Sequence, residues 1–268
     1  MKLSIIIPVY HEKEAIFPCL ERLLGTHHEL EIIVVDGAPE GDTVHAVHAW
    51  IESAQQTRMD VEKQYYSNNL ATLKLEKSKS GRGSQMNYGA ACATGEVLLF
   101  LHVDTVLPCN YFELLEKVYG AGHWAGAFSL CIDDSRPWFR VIEYLANKRN
   151  TWTKTPYGDQ AQFFTAKLFK SIGGYAEIPL MEDVDIMRRL RTLGGLGRVR
   201  KPLYILKECA TTSARRWHDE GIVYCSLRNV ILRTLYAFGV SPTSLAKWYG
   251  FEKRCRLQRS NDVHKRHC

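Results

Sequence analysis

Three short runs of aliphatic and β-branched residues constrain this chain more than any other feature. Leu3-Ser4-Ile5-Ile6-Ile7 closes on Pro8, Ile32-Ile33-Val34-Val35 closes on Asp36-Gly37, and Glu96-Val97-Leu98-Leu99-Phe100-Leu101 runs into His102-Val103-Asp104. Their hydrophobicity is near-continuous rather than alternating, as expected of strands buried on both faces. Helical spacing fills the intervals. Ile16, Leu20, Leu23 and Leu24 recur on one face over 12–24, and Thr43 to Gln56 reads as a second helix. A Gly-rich turn at Gly81–Gly83 opens a small-residue helix, which Gly95 is expected to end as a left-handed cap. A further strand is expected near Thr72–Leu75. This alternation predicts an α/β fold with a mostly parallel central sheet flanked by helices. Ligands of such sheets sit beyond the carboxyl ends of the strands, where Asp36 and Asp104 fall.

The second half is less regular. Trp124 to Ile132 and Gln162 to Thr165 read as strands, and Trp138 to Asn147 as a helix. Another helix follows Met181 and ends near Leu193, broken by Gly194, Gly195 and Gly197. Ile222 to Phe238 reads as a basic amphipathic helix. Without a repeat or linker, the 268 residues are expected to form a single domain over 1–240, followed by a basic C-terminal helix and tail over 241–268. No apolar run approaches the ~18 residues of a membrane span, and Leu3–Ile7 is too short for a signal peptide core. The eight cysteines are scattered, with no zinc spacing, and are expected to be reduced thiols of a cytoplasmic protein.

The net charge of +6 hides an asymmetry: residues 1–185 carry −7 and residues 186–268 carry +13. Nucleic acid is not the expected partner, since the basic part lacks interleaved aromatics and any recognisable nucleic-acid module. Peripheral contact with an anionic membrane through the 222–238 helix and the tail is an expectation.

Four groups of residues could carry chemistry. Neither a Gly-x-Gly-x-x-Gly nor a Walker A sequence follows the first strand. Asp104 ends a very apolar strand and could hold a divalent ion that in turn holds a diphosphate; the alternative is a turn residue. His102 shares its face if the strand continues, as a manganese ligand or as a packing residue. Glu182-Asp183-x-Asp185 precedes a helix. It caps that helix or supplies a general base whose crowded carboxylates raise one another's pKa. Arg215-Arg216-Trp217 offers guanidinium forks for phosphate and an aromatic face for a sugar or base; the alternative is a basic surface with a half-buried Trp.

Taken in order, these segments resemble the inverting nucleotide-sugar glycosyltransferases of family 2, with the GT-A fold, over about residues 2–235. The resemblance rests on Ser4 to Tyr10 with Glu12 and Glu14, Ile33 to Gly37, Gly81 to Asn87 with Gly89, Gly95 to Asp104, and Met181-Glu182-Asp183. Gly81-Arg82-x-x-Gln85-Met86-Asn87, Gly158-Asp159-Gln160 and Arg215-Arg216-Trp217 further resemble the bacterial radical-SAM/selenodomain-associated subgroup.

The resemblance implies a nucleotide-diphosphate sugar donor and a divalent metal, Mn2+ or Mg2+. The acceptor would be lipid-linked or a small molecule. Pro8, Tyr10 and Glu12 would line the nucleotide pocket, Asp36 would bond the base or ribose, and Arg82 and Asn87 would flank the nucleotide and its phosphates. Asp104 would bind the metal with His102 beside it, where the family carries a first Asp. Asp183 would be the catalytic base with Glu182 as neighbour. Arg216 and Trp217 would end a Gln-x-x-Arg-Trp motif whose Gln is here Ser213. The competing readings are a GT-A-like nucleotidyltransferase and a non-catalytic anion-binding protein. The first would need a basic Gly-rich loop after the first strand, which Pro8 to Glu12 does not supply.

Overall fold

The computed structural model describes residues 1–26, 28–57, 71–195 and 203–250. The expected features at Gly197 and over 252–268 lie outside these residues. An eight-stranded sheet in the order β3-β2-β1-β4-β7-β6-β8-β5 runs through the molecule. Its first part is β1 (Leu3–Val9), β2 (Leu30–Asp36), β3 (Thr72–Lys77) and β4 (Val97–Phe100), all mutually parallel where they pair.

Side chains alternate across each strand, so every residue of an apolar run meets one of two cores. Leu3, Ile5, Ile7 and Val9 of β1 face Ile16, Leu20 and Leu23 of α1 (Ile16–Leu24), Val47 of α2 (Asp42–Thr57) and Leu115 of α4 (Tyr111–Gly120). Ile6, Ile33, Val35, Leu98 and Phe100 face the other way. They meet Met86 of α3 (Arg82–Cys92), Leu168 and Phe169 of α6 (Ala166–Ser171), and Ile186 and Leu190 of α7 (Glu182–Gly195). Burial on both faces is what the uninterrupted hydrophobic runs require.

The second part mixes directions. β6 (Ala125–Asp133) is antiparallel to β7 (Phe163–Thr165) and parallel to β8 (Tyr204–Ser213). β7 is antiparallel to β4, and the two-residue β5 (Thr105–Val106) is antiparallel to β8. Parallel pairs outnumber antiparallel ones by four to three, so the sheet is mostly parallel. Helix α5 (Pro137–Thr153) covers β6, where the Asn147 amide bonds both the N–H and the C=O of Leu130. Beyond β8 come α8 (Arg215–Glu220), α9 (Ile222–Ala237) and α10 (Pro242–Tyr249), with Leu245 of α10 packed on Leu232 and Tyr236 of α9.

Several local expectations need correction. The first helix starts at Ile16 rather than near Glu12, and the Glu12 N–H is held by Thr43 Oγ1 at 3.0 Å. The third strand stops at Phe100, so His102 and Asp104 lie in a turn closed by Thr105 N–H to His102 O at 3.0 Å. Gly95 is not a left-handed cap. The helix before it ends at Cys92, and a Cβ on Gly95 would stand 2.5 Å from Ser4 Oγ, so glycine lets the chain pass close to β1. Strand β8 was not expected, since its alternating Tyr204-Ile205-Leu206-Lys207-Glu208 start carries exposed polar residues. The α9 helix exists, but its cations turn inward: Arg228 is buried and paired with Glu220.

Candidate active site

The carboxyl ends of β1, β2 and β4 open onto one region, and the loops there are fixed by buried polar side chains. Asp36 ends β2 with none of its surface exposed. Its Oδ1 accepts from Ala38 N–H at 2.8 Å, and its Oδ2 from Thr43 and Val44 N–H at 2.9 and 3.2 Å. It therefore neutralises the N-terminus of α2 instead of reaching outward to a base or ribose, as was expected. At the end of β1 the chain turns at His11, whose φ is +55° and whose Nδ1 shares a 3.0 Å hydrogen bond with Asp42 Oδ2. This turn presents Tyr10 and Glu12. Gln85 donates to Val9 O at 2.6 Å and Val35 O at 2.9 Å, tying the two strand ends together.

Asn87 is likewise structural. Its Nδ2 donates to Tyr175 O, and its Oδ1 accepts from Tyr175 N–H, both at 2.8 Å. These bonds fix the backbone at Tyr175 and use one of the two Nδ2 hydrogens. Trp217 is half-buried and packs edge-on to Phe139 with centroids 5.9 Å apart, next to Ile142 and Ile222. This packing anchors the segment that carries Arg216.

Carboxylates gather on the other side of the region. Met181 adopts φ +71°, a left-handed conformation uncommon for a non-glycine residue. Glu182 and Asp183 follow as the first residues of α7, where the helix dipole favours negative charge. Asp183 Oδ1 accepts from Val184 N–H and its Oδ2 from Gly158 N–H, both at 2.8 Å, which fixes the plane of its carboxylate. Glu182 is 3% exposed and ion-paired with Arg82 Nη1 at 3.2 Å. Burial raises the pKa of Glu182, Arg82 pulls it down, and Asp183 pushes it up again. Burial alone would lower Arg82, but Glu182 and Asp183 outweigh it and hold the guanidinium above its ordinary value.

Three further groups complete the cluster. His102 lies against Gly158, where an added Cβ would stand 2.9 Å from Nε2 and would push the imidazole aside. Burial, reinforced by Arg82 and Arg216, keeps the imidazole well below its usual pKa and therefore neutral. Asp159 was quoted above within Gly158-Asp159-Gln160 but given no role. Burial pushes its carboxyl to about 6, with Asp183 adding to the rise, and its Oδ1 is buried without a hydrogen-bond partner. Glu12 is also raised by burial, opposed by Arg215 and supported by Asp104. The β5–β8 pairing explains why Arg215 and Arg216 arrive here. Ser213 N–H bonds Asp104 O at 3.2 Å, so the residues after β8 start beside the Asp104 turn.

The structure thus groups Glu12, Arg82, His102, Asp104, Glu182, Asp183 and Arg216 within electrostatic reach of one another and adds Asp159 and Arg215. Asp159 has a sequence signal in its glycine neighbour, but its burial is a property of the fold alone. Among the described residues no three His, Cys, Asp or Glu side chains are gathered closely enough to cage a cation. Magnesium and manganese do not need such a cage, since one or two carboxylates plus substrate phosphates suffice. Asp104 and the orphaned oxygen of Asp159 fit that mode.

A family model for glycosyl transferase family 2 matches residues 4–176, well over half of the chain. The chain belongs to this family and has the GT-A fold. An uncharacterised glycosyltransferase of Nostoc sp., alr2836, is 27% identical over 120 residues, which is 44% of this chain and 33% of that protein. The match thus spans about a third of that relative's length. Among solved structures, residues 1–349 of TarS from S. aureus superpose with a TM-score of 0.56 at 16% identity, covering 91% of this chain and 68% of that one. The mannosyltransferase PcManGT of Pyrobaculum calidifontis, in complex with GDP-Man and Mn2+, gives 0.53 at 19% identity over 79% of this chain and 56% of that one.

Proposed function

We propose that the protein transfers a sugar from a nucleotide-diphosphate sugar to an acceptor hydroxyl with inversion at the anomeric carbon. The observation that carries this reading is the Asp183 carboxylate at the start of α7, held at one oxygen by Val184 N–H and at the other by Gly158 N–H, with neutral His102 also lying against Gly158. A base fixed in this way can accept a hydroxyl proton without reorganising. As the acceptor oxygen bonds to the anomeric carbon, its proton passes to Asp183. The bond from that carbon to the diphosphate breaks with its electron pair on the departing oxygen. One displacement inverts the centre and needs a single base.

Arg215 and Arg216, both exposed, are suited to the charge of the leaving diphosphate. Arg82 holds Glu182 and through it steadies Asp183. Pro8, Tyr10 and Glu12 are assigned to the nucleotide, Asp36 shapes the loop beside it, and Asn87 both fixes the Tyr175 backbone and keeps an N–H for the nucleotide or its phosphates. Asp104, with Asp159 and His102 nearby, would hold a divalent metal, Mn2+ or Mg2+, whose chemistry is to neutralise the leaving diphosphate. The TarS complexes with UDP-GlcNAc and with UDP, and the PcManGT complex with GDP-Man and Mn2+, support a nucleotide-sugar donor and a metal. Membership of the radical-SAM/selenodomain-associated subgroup, with residues 1–240 as the catalytic domain, belongs to the same proposal.

The test is a panel of UDP- and GDP-sugars measured for protection against thermal unfolding, with and without Mn2+. One donor class is expected to raise Tm, and more so with the metal. No protection by any nucleotide sugar would contradict the reading.

A further inference from the structure

Two helices carry exposed apolar stripes that the catalytic site does not use. On α5, Trp138, Val141, Leu145 and Trp152 follow three-and-four spacing on the outward face, with Tyr144 beside them; Trp138 and Trp152 are 69% and 76% exposed. On α9, Val223, Leu227 and Val230 repeat the pattern, with Tyr224 beside them and Phe238 just beyond; Val223 is 79% exposed. Ile142 and Ala146 of α5 and Ile222 of α9 pack on the same small cluster around Phe139. Farther along, Arg233 of α9 donates to Thr153 Oγ1 at the end of α5, at 3.3 Å. The two helices are therefore neighbours at both ends. Apolar residues scattered singly are ordinary on a surface, but two adjacent stripes are not.

The charges decide what covers them. Helix α9 contains no acidic residue. The one acid of α5, Glu143, is buried, accepts from Ile132 N–H and pairs with Arg140. Arg140 is taken up by Glu143 and by the carbonyls of Ile132 and Asp134, and the outward cation is Lys148, whose ammonium lies 5.0 Å from the Trp152 ring and 5.5 Å from the Tyr144 ring. A lysine lying over aromatic rings with its charge outward suits an interface between apolar tails and headgroups. A second copy of the chain would set this lysine against its own counterpart, with no outward carboxylate on either helix to meet it. An anionic bilayer supplies both the missing charge and a shallow apolar layer.

We infer that the face formed by α5 and α9 docks the protein onto anionic lipid, lying in the headgroup layer rather than spanning it. Among the described residues no helix is long and apolar enough to cross a membrane. The inner side of α9 packs Leu232 and Tyr236 on Val184, beside Asp183. A docked molecule therefore has its carboxylate pair one helix away from the bilayer surface.

The test uses the full chain with vesicles of phosphatidylcholine alone or with about one third phosphatidylglycerol. The wild type is expected to co-sediment with the anionic vesicles only. Brominated lipid is expected to quench its tryptophan fluorescence. The triple variants Trp138→Ser/Leu145→Ser/Trp152→Ser and Val223→Ser/Leu227→Ser/Val230→Ser should each lose about tenfold or more in partitioning, with Tm unchanged. Lys148→Glu should lose less. The inference is overturned if the wild type binds neither vesicle, or if both triple variants bind like the wild type, which would leave binding to charge alone. It is also overturned if light scattering shows a dimer that the triple variants abolish.

Discussion

Two sets of buried polar side chains around the site are met in opposite ways. Asp36 accepts from three backbone N–H groups, Gln85 donates its amide to two strand-end carbonyls, and Asn87 bonds the Tyr175 N–H and C=O. In the other set, Asp159 and Glu182 are buried with raised pKa values, and one Asp159 oxygen has no partner. Matched groups hold loops in place. Unmatched ones lower stability and persist where something else must meet them, which is the signature of a site. The comparison separates residues that a family motif names together: some build the cleft, and others act in it.

The contrast breaks most visibly if a matched residue proves dispensable for folding. Asp36→Ala orphans three backbone N–H groups at the start of α2 and should cost about 3–5 kcal/mol, lowering Tm by about 10 °C. Thermal unfolding measures this directly, and the folded fraction should keep its donor affinity. Asn87→Ala removes both bonds to Tyr175 and should cost about 2 kcal/mol, with weaker donor binding per folded molecule. Donor binding kept at its wild-type strength would leave Asn87 to the fold alone.

Asp159→Asn should behave in the opposite sense. Its carboxyl titrates near 6 in the folded chain, above the ordinary 3.8. The folded state therefore holds the proton more tightly than the unfolded one, and the associated stability is present below pH 4 and lost as pH rises through 6. The amide should stabilise the protein by about 1–2 kcal/mol at pH 7.5 and not at pH 4, while turnover falls. Equal stability at both pH values would remove Asp159 from the unmatched group.

Much of this was legible in the sequence for a physical reason. The runs at Leu3–Ile7, Ile32–Val35 and Val97–Phe100 are near-continuously apolar because both faces are covered, so strand identity follows from hydrophobicity, and the helical spacing between the runs points to their parallel pairing. β8 was missed because one side of it meets solvent and its first residues include Lys207 and Glu208. The positions of Arg82, Asp104, Glu182 and Asp183 followed from a resemblance in motif order. What a motif cannot convey is which way a side chain turns. Asp36 and Asn87 point inward because helix α2 and the Tyr175 backbone offer them donors and acceptors, and Trp217 turns onto Phe139. Those partners lie between 2 and 88 residues away in the chain. The inward turn of Arg228 left α9 with an apolar outer face where a basic one was expected, because Glu220 lies close enough to pair with it.

The central claim is that Asp183 acts on the reaction while Asp36 acts on the fold. It is tested most directly by measuring turnover and donor-induced protection together in Asp183→Asn. Turnover should fall by about 10²–10⁴-fold, with the rise in Tm on adding the nucleotide sugar kept at its wild-type size. Turnover within a few-fold of wild type, or loss of donor protection in parallel with turnover, would contradict the assignment.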